Sequence, residues 1–281
     1  MTALRRTSIG FARGLLYAGL AIVAAVQIFP LAWLLNFSFL KSGDFYGSYL
    51  LKWPEPFQWK NYADAFRFGH VPAYLLNSIL VTAIVIAVTI AVSMMLGYVI
   101  ARVPWKWNKL LMGLVMICMI VPIYSTLLPN FFIFTNMRII DSYLVLILPN
   151  IAFAIPISVF VIIGFLESTP RAIEEAAVMD GLGLTGIVFR IIFPISKPVI
   201  ASVAVLTFMS TWNEFIMAVT YIRSDVFKTL PFSLIQFTGQ YASNYGAQFA
   251  VMTIIALPAV LLYILFTEQI TNSLTAGAVK G

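Results

Sequence analysis

Long stretches of this chain carry almost no charge, and short polar or charged segments separate them. The first such run, Gly14 to Leu40, follows Arg5, Arg6 and Arg13 and predicts a span over roughly Leu15–Phe37. The run from Val71 to Ala101 contains the second span. Leu110 to Phe134 predicts the third, broken by Pro122 and Pro129. Ser142 to Leu166 predicts the fourth and carries Pro149, Asn150 and Pro156. Pro198 to about Tyr221 predicts the fifth, and Gln248 to about Phe266 the sixth. Each run is close to or above the ~20 apolar residues that cross a bilayer as a helix. The pattern predicts an all-α polytopic membrane protein with about six transmembrane helices.

The connecting segments set the orientation. Residues 41–72 and 222–246 are the two sizeable polar loops, and the second is rich in aromatics. Arg102, Lys106 and Lys109 stand with Trp105 and Trp107 in a short basic loop, a typical interfacial anchor. With the N-terminus inside, ten Lys and Arg fall on the cytoplasmic side and seven outside. Short loops carry this bias, because long external ones are weakly constrained. Both termini and the segment 167–197 are then expected in the cytoplasm.

Composition supports this picture. The chain is 61% hydrophobic and 10% charged, against about 25% charged in soluble domains. Its net charge of +6 fits positive cytoplasmic loops, and no basic cluster interleaved with aromatics suggests nucleic acid. Cys118 is the only cysteine, so no internal disulfide forms. His70 is the only histidine and has no second ligand nearby, so no metal site is expected. No G-x-x-x-x-G-K-[ST] occurs, and no cytoplasmic loop is long enough for a nucleotide-binding domain. No catalytic residue and no cofactor are assigned to this chain.

One cytoplasmic stretch stands apart: Glu174 to Pro194, EEAAVMDGLGLTGIVFRIIFP. Thr169 can cap a short helix there, and Pro170 suits its first turn. Glu174 and Glu175 lie where the helix dipole favours negative charge. Ile173, Ala176, Ala177 and Asp180 share one side at helical spacing and form a shallow face for a partner. Gly181 can end the helix in the left-handed conformation. On the residues alone this is equally an ordinary capped helix in a loop. Gly181, Gly183 and Gly186 also spell G-x-G-x-x-G, but the preceding residues read as helix and no acid occurs between Asp180 and Glu214, so a dinucleotide site is rejected.

Glu175-Ala176-Ala177, then Gly181, Ile191 and Pro194, resemble the EAA loop of binding-protein-dependent ABC importer permeases, with Phe193 where that family usually has Leu. Asn77-Ser78, Gly97-Tyr98-Val99-Ile100-Ala101-Arg102, Asp141-Ser142-Tyr143, Leu148-Pro149 and Trp212-Asn213 are similar to the carbohydrate-uptake branch. The ending Leu274 to Gly281 looks like that of the maltose-type subunit. The resemblance covers roughly residues 72–281 and implies a type I ABC importer permease fold. It divides the chain into an arm, first span and external loop (1–71), a transmembrane core with its coupling loop (72–268, loop 167–197) and a cytoplasmic tail (269–281).

The resemblance also implies roles. Glu174, Glu175, Ala176, Ala177, Asp180, Gly181, Ile191 and Pro194 would couple to a cytoplasmic ATPase. Thr275, Gly277 and Lys280 would contact it through the tail, with positive φ available at Gly277. Gln240, Tyr241 and Tyr245 would meet an extracytoplasmic solute-binding protein. Implied partners are a second homologous permease subunit, two ATP-binding cassette subunits that carry the ATP and Mg, and the bilayer of a bacterial or archaeal cytoplasmic membrane. Asn150, Trp212, Asn213 and Glu214 are candidates for the translocation path. Glu214 is the one acid within a predicted span, and such a group defaults to a functional hypothesis; equally it lies near the span's external end, in water or paired across a helix interface. A glycerol 3-phosphate or polyol-type importer is the nearest alternative function, and a secondary transporter a more distant one.

Overall fold

A computed structural model describes the backbone of residues 2–46, 52–238 and 244–278, and the side chains of 13–45, 52–238 and 244–267. Among the described residues the regular structure is helical throughout: α1 (Thr2–Phe37), α2 (Lys60–Phe68), α3 (Val71–Arg102), α4 (Asn108–Ile120), α5 (Leu127–Asn136), α6 (Leu144–Ser168), α7 (Ala172–Met179), α8 (Leu184–Ile195), α9 (Lys197–Trp212), α10 (Ile216–Tyr221) and α11 (Tyr245–Ala278). Four of these, in α1, α3, α6 and α11, are long and apolar enough to cross a membrane, and six spans result if each of two bent pairs counts as one.

The chain divides into two compact units. One comprises residues 1–71 and 233–254, the other 72–232 and 255–281. In the first unit the rings of Trp33, Phe37, Phe45 and Phe249 cluster with centroids 3.9–5.5 Å apart. Asn61 of α2 donates to the carbonyls of Ser38 and Leu40, both at 2.8 Å. Gly246 leaves room for it, since a Cβ there would stand 2.5 Å from the Asn61 amide.

The second unit is organised around α6, the most buried candidate span. At one end α6 joins α3, α5 and α10 through Val81, Val85, Phe134, Val145, Leu146, Met217 and Tyr221. At the other it joins α3, α7, α8 and α9 through Met94, Tyr98, Ile162, Leu166, Ala177, Ile187, Ile192 and Val203. Gly97 permits the close approach of α3 and α6: a Cβ there would lie 2.8 Å from Cγ2 of Ile162. Small residues serve this purpose in membrane helix pairs.

Several expected spans are shaped differently. The third is two helices, α4 and α5, bent by 89°. The break is at Val121–Pro122, where the backbone is extended, because the residue before proline avoids the helical region. Pro129 does not break anything; it sits in the first turn of α5, where no N–H is needed. Pro149 and Pro156 are buried inside a continuous α6. The fifth span is not continuous to Tyr221, since α9 stops at Trp212 and α10 begins at Ile216. The sixth runs past Phe266 to Ala278. Gly277 is therefore helical and does not take positive φ; no proline intervenes after Pro258 to stop the helix.

Candidate functional site

The EAA-like loop forms a short helix, a glycine turn and a second helix that leads into α9. The turn is a Schellman motif. Gly181 has φ +82°, its N–H bonds to the Val178 carbonyl at 3.0 Å, and the Leu182 N–H bonds to the Ala177 carbonyl at 3.0 Å. Gly181 thus takes the left-handed conformation anticipated for it. The start of α7 differs from expectation. Thr169 is the extended residue closing α6, its hydroxyl bonds back to the Phe165 carbonyl, and Arg171 precedes α7 without a side-chain cap. Glu174 and Glu175 do occupy the first turn.

The loop's residues divide into two faces. Ala177 is buried against α3, α6 and α8, so it anchors the loop and does not belong to the exposed face. Glu174 also points inward. Its carboxylate meets the Arg102 guanidinium at 2.9 Å and accepts a 2.8 Å hydrogen bond from the Tyr98 hydroxyl. The Arg102 contact is an ion pair and not an aligned hydrogen bond. Arg102 also donates through Nη2 to the carbonyls of Leu166 and Thr169, at 2.5 and 2.6 Å. Its side chain is 5% exposed and that of Glu174 13%. Arg102 thereby joins the ends of α3 and α6 to the first turn of α7. The quoted stretch Gly97 to Arg102 holds both partners, yet nothing in the sequence pairs them with Glu174.

The outward face consists of Ile173, Glu175, Ala176, Val178, Met179 and Asp180, all exposed, with Met179 at 84%. Glu175, Ala176 and Asp180 are thus placed where a partner can reach them. Ile191 is half-buried and Pro194 exposed on α8. Within α8, Ile187–Ile192 is π-helical. Pro194 lacks the N–H that would bond to residue 190, and its ring opposes the carbonyl there, which accounts for the wider turn. A sharp bend of 77° at Ser196 separates α8 from α9.

At the other end of the second unit, a hydrogen-bonded clamp holds the segment 223–230. Asn77 donates to the carbonyls of Val226 and Lys228 at 2.8 Å, and its oxygen accepts from the Tyr143 hydroxyl at 2.7 Å. Ser78 accepts from the Leu230 N–H at 2.8 Å. Asn77-Ser78 thus holds a loop. Asp141, at φ 61°, accepts from the backbone N–H of Arg223 and Ser224 at 2.8 and 2.9 Å and from the Ser224 hydroxyl. Burial pushes this carboxyl up, but the bonds from Ser224 and Arg223 and the Arg223 charge outweigh it and hold it below its ordinary value. A depressed acid contributes stability above its unfolded pKa and loses it as pH falls through the folded one. Asp141→Asn is therefore expected to lower the unfolding midpoint at neutral pH. The gap from wild type should close on acidification below about pH 4, as read by thermal unfolding across pH.

The path candidates are placed as follows. Glu214 is buried in the break between α9 and α10. Its two carboxylate oxygens accept from the N–H groups of Met217 and Ala218 at 2.7 and 3.2 Å, so it caps α10. Trp212 is buried, stacks on Phe208 and donates to the Ile255 carbonyl at 3.0 Å. Asn150 is buried and bonds to the Leu146 carbonyl of its own helix. Asn213 is exposed and bonds to the Met209 carbonyl. Tyr245 opens α11, while Gln240 and Tyr241 lie outside the described residues. Thr275 and Gly277 fall in the last turn of α11, and Lys280 lies outside the described residues.

Residues 93–275 match the family described as "binding-protein-dependent transport system inner membrane component". The chain belongs to this family. Among relatives of this binding-protein-dependent permease, the arabinooligosaccharides transport system permease protein AraQ of Halalkalibacterium halodurans is 30% identical over 270 residues, covering 95% of this chain and 96% of its own. The trehalose/maltose transport system permease protein MalG of Thermococcus litoralis is 29% identical, covering 96% and 97%. The fold matches a chain in the crystal structure of a bacterial ABC transporter involved in the import of the acidic polysaccharide alginate. That match has TM-score 0.76 and 16% identity, over 93% of this permease and 96% of that chain. As a permease subunit the chain is not the ATPase; hydrolysis belongs to a separate subunit.

Proposed function

We propose that this permease is one membrane-spanning subunit of an ATP-driven importer of a sugar or oligosaccharide, coupled to its ATPase through α7. The observation that carries the coupling is the division of α7 into two faces. One side is locked to α3 and α6 by Arg102, Tyr98 and Ala177. The other offers Ala176, Met179 and Asp180 to a partner. A helix held this way transmits a push on its outer face to the spans without bending between. Sugar as the cargo is supported by the near full-length similarity to arabinooligosaccharide and trehalose/maltose permeases.

In this reading two ATP-binding cassette subunits bind ATP and Mg and engage the α7 surface. A second, related permease subunit completes the pathway. An extracytoplasmic solute-binding protein delivers cargo and is met by Gln240, Tyr241 and Tyr245. The termini are cytoplasmic, in the cytoplasmic membrane of a bacterium or archaeon. The last residues of the chain, Thr275, Gly277 and Lys280 among them, lie toward the ATPase, and Asn150, Trp212, Asn213 and Glu214 support the pathway wall.

The test is reconstitution of the full complex in proteoliposomes with radiolabelled oligosaccharides and, separately, glycerol 3-phosphate. Uptake of an oligosaccharide that needs both ATP inside and binding protein outside is expected. Uptake of glycerol 3-phosphate alone would overturn the sugar assignment, and uptake driven by an ion gradient without ATP would overturn the mechanism.

A further inference from the structure

The loop 41–72 carries no recognisable motif, yet α2 within it is built inside out. Its inward positions are Asn61 and Ala65, one turn apart. The polar one, Asn61, is held by the Ser38 and Leu40 carbonyls. Gly69, just after the helix, is covered by Phe237, whose ring would stand 2.8 Å from a Cβ. The other side of the helix shows Trp59, Ala63 and Phe66 at i, i+4 and i+7, all exposed, Trp59 at 69% and Phe66 at 50%. At about 100° per residue this stripe points away from Asn61 and Ala65. Trp53 and Phe57 are exposed beside it in sequence, and Lys60 and Arg67 flank it on the helix. An aromatic face outside and an amide inside suit a helix with an apolar medium around it.

The position of α2 says which medium. No residue in the most apolar stretch of α1 is buried, and Leu31 and Leu35 near its end remain exposed. The aromatic stripe stands directly on that end. Phe39, two residues beyond α1, packs edge-on against Trp59 at 4.9 Å and Phe57 at 5.3 Å. Ser38 Oγ lies 2.7 Å from the Tyr62 hydroxyl. Only Gly69 and His70 separate α2 from α3, another candidate span. A helix at the end of a span meets the zone where a bilayer's acyl chains give way to headgroups. Trp, Phe and Tyr beside Lys and Arg are the side chains that favour this depth.

We propose that α2 is an interfacial anchor seated in the leaflet at which α1 ends. Trp59, Ala63 and Phe66 face the acyl chains, and Lys60 and Arg67 face lipid phosphates. The anchor fixes the depth of α1 while Asn61 ties it to the chain.

The experiment places a spin label at Ala63→Cys, and separately at Phe66→Cys, in a Cys118→Ser background. The assembled transporter is reconstituted in phosphatidylcholine vesicles containing phosphatidylglycerol. Gly43→Cys, exposed with no atom within 4 Å of its Cβ, is the water-facing reference, and uptake by each variant verifies assembly. Collision with oxygen relative to a water-soluble nickel chelate is expected to be several-fold higher at both α2 positions than at Gly43. A ratio equal to that at Gly43 would place the stripe in water and overturn the proposal. Low collision with both reagents and an immobilised label would show that another protein covers the stripe, and would overturn it equally.

Discussion

Met179→Asp is expected to cut ATP-driven uptake at least about tenfold while leaving insertion and thermal stability near wild type. Met179 is 84% exposed and lies on the face of α7 opposite Ala177. In the isolated subunit a charge there stays in water and costs little. Once a partner seals that face, the same carboxylate is buried without a counter-charge, and such a loss is about 3–5 kcal/mol, where each 1.4 kcal/mol is a factor of ten. Gly181 sharpens the test. A side chain there meets nothing within 4 Å, so its only conflict within the chain is φ +82°, worth about 1–2 kcal/mol for an L-residue. Gly181→Asn, which tolerates this region best, is expected to keep the subunit folded but still lower uptake, because its side chain enters the docking surface. Uptake and ATPase assays on matched amounts of reconstituted complex decide it. Wild-type uptake by Met179→Asp would remove α7 from the docking face.

Arg102→Met has the second large effect, and it acts from inside. The substitution leaves Glu174 mostly buried without its cation and removes the donors to the Leu166 and Thr169 carbonyls. Losing one partner of a buried pair costs about 3–5 kcal/mol. The expected result is a lowered unfolding midpoint together with ATPase activity that no longer drives uptake. Arg102→Met/Glu174→Met removes both charges, so it should recover a large part of the stability and little of the uptake, since α7 is still untied. Tyr98→Phe deletes one hydrogen bond to the same carboxylate, about 1.5–3 kcal/mol, and should fall between. A double mutant no more stable than Arg102→Met would show that the two residues act independently.

These residues also show where sequence reading succeeds and where it stops. The apolar runs placed α3, α6 and the end of α1 within a few residues, because a bilayer-crossing helix is a local property of composition; the helix of α1 begins at Thr2, well before the apolar run. Gly181 was legible for a local reason too: a glycine after a short helical run is the usual left-handed end. The Arg102–Glu174 pair was not, since its members are far apart in the chain and meet only through the packing of α3 on α6. Pro122 and Pro129 were both expected to break the third span, yet only Pro122 accompanies a break, and α6 runs on through Pro149 and Pro156, because the surroundings decide whether a helix continues through a proline. Glu214 was read as an acid within a predicted span, either facing the path or near the span's external end. Its role as a cap depends on the break at residues 213–215, which no hydrophobicity pattern marks. The inside-out α2 was hidden because its register, not its composition, carries the message.

The π-helical turn at Ile187–Ile192 has a geometric consequence for the coupling loop. A π-bulge holds one more residue than the α-helix around it. One residue is about 100° of azimuth, so the turn acts as a phase shifter between the start of α8 and its junction with α9. Removing a single residue from it would turn Leu184–Gly186 by roughly a quarter of a circle relative to Pro194, while α7 stays tied to α3 and α6 by Arg102, Tyr98 and Ala177. The glycine turn between α7 and α8 would have to absorb that rotation, so the register of α8 against its neighbours is set by a count of residues.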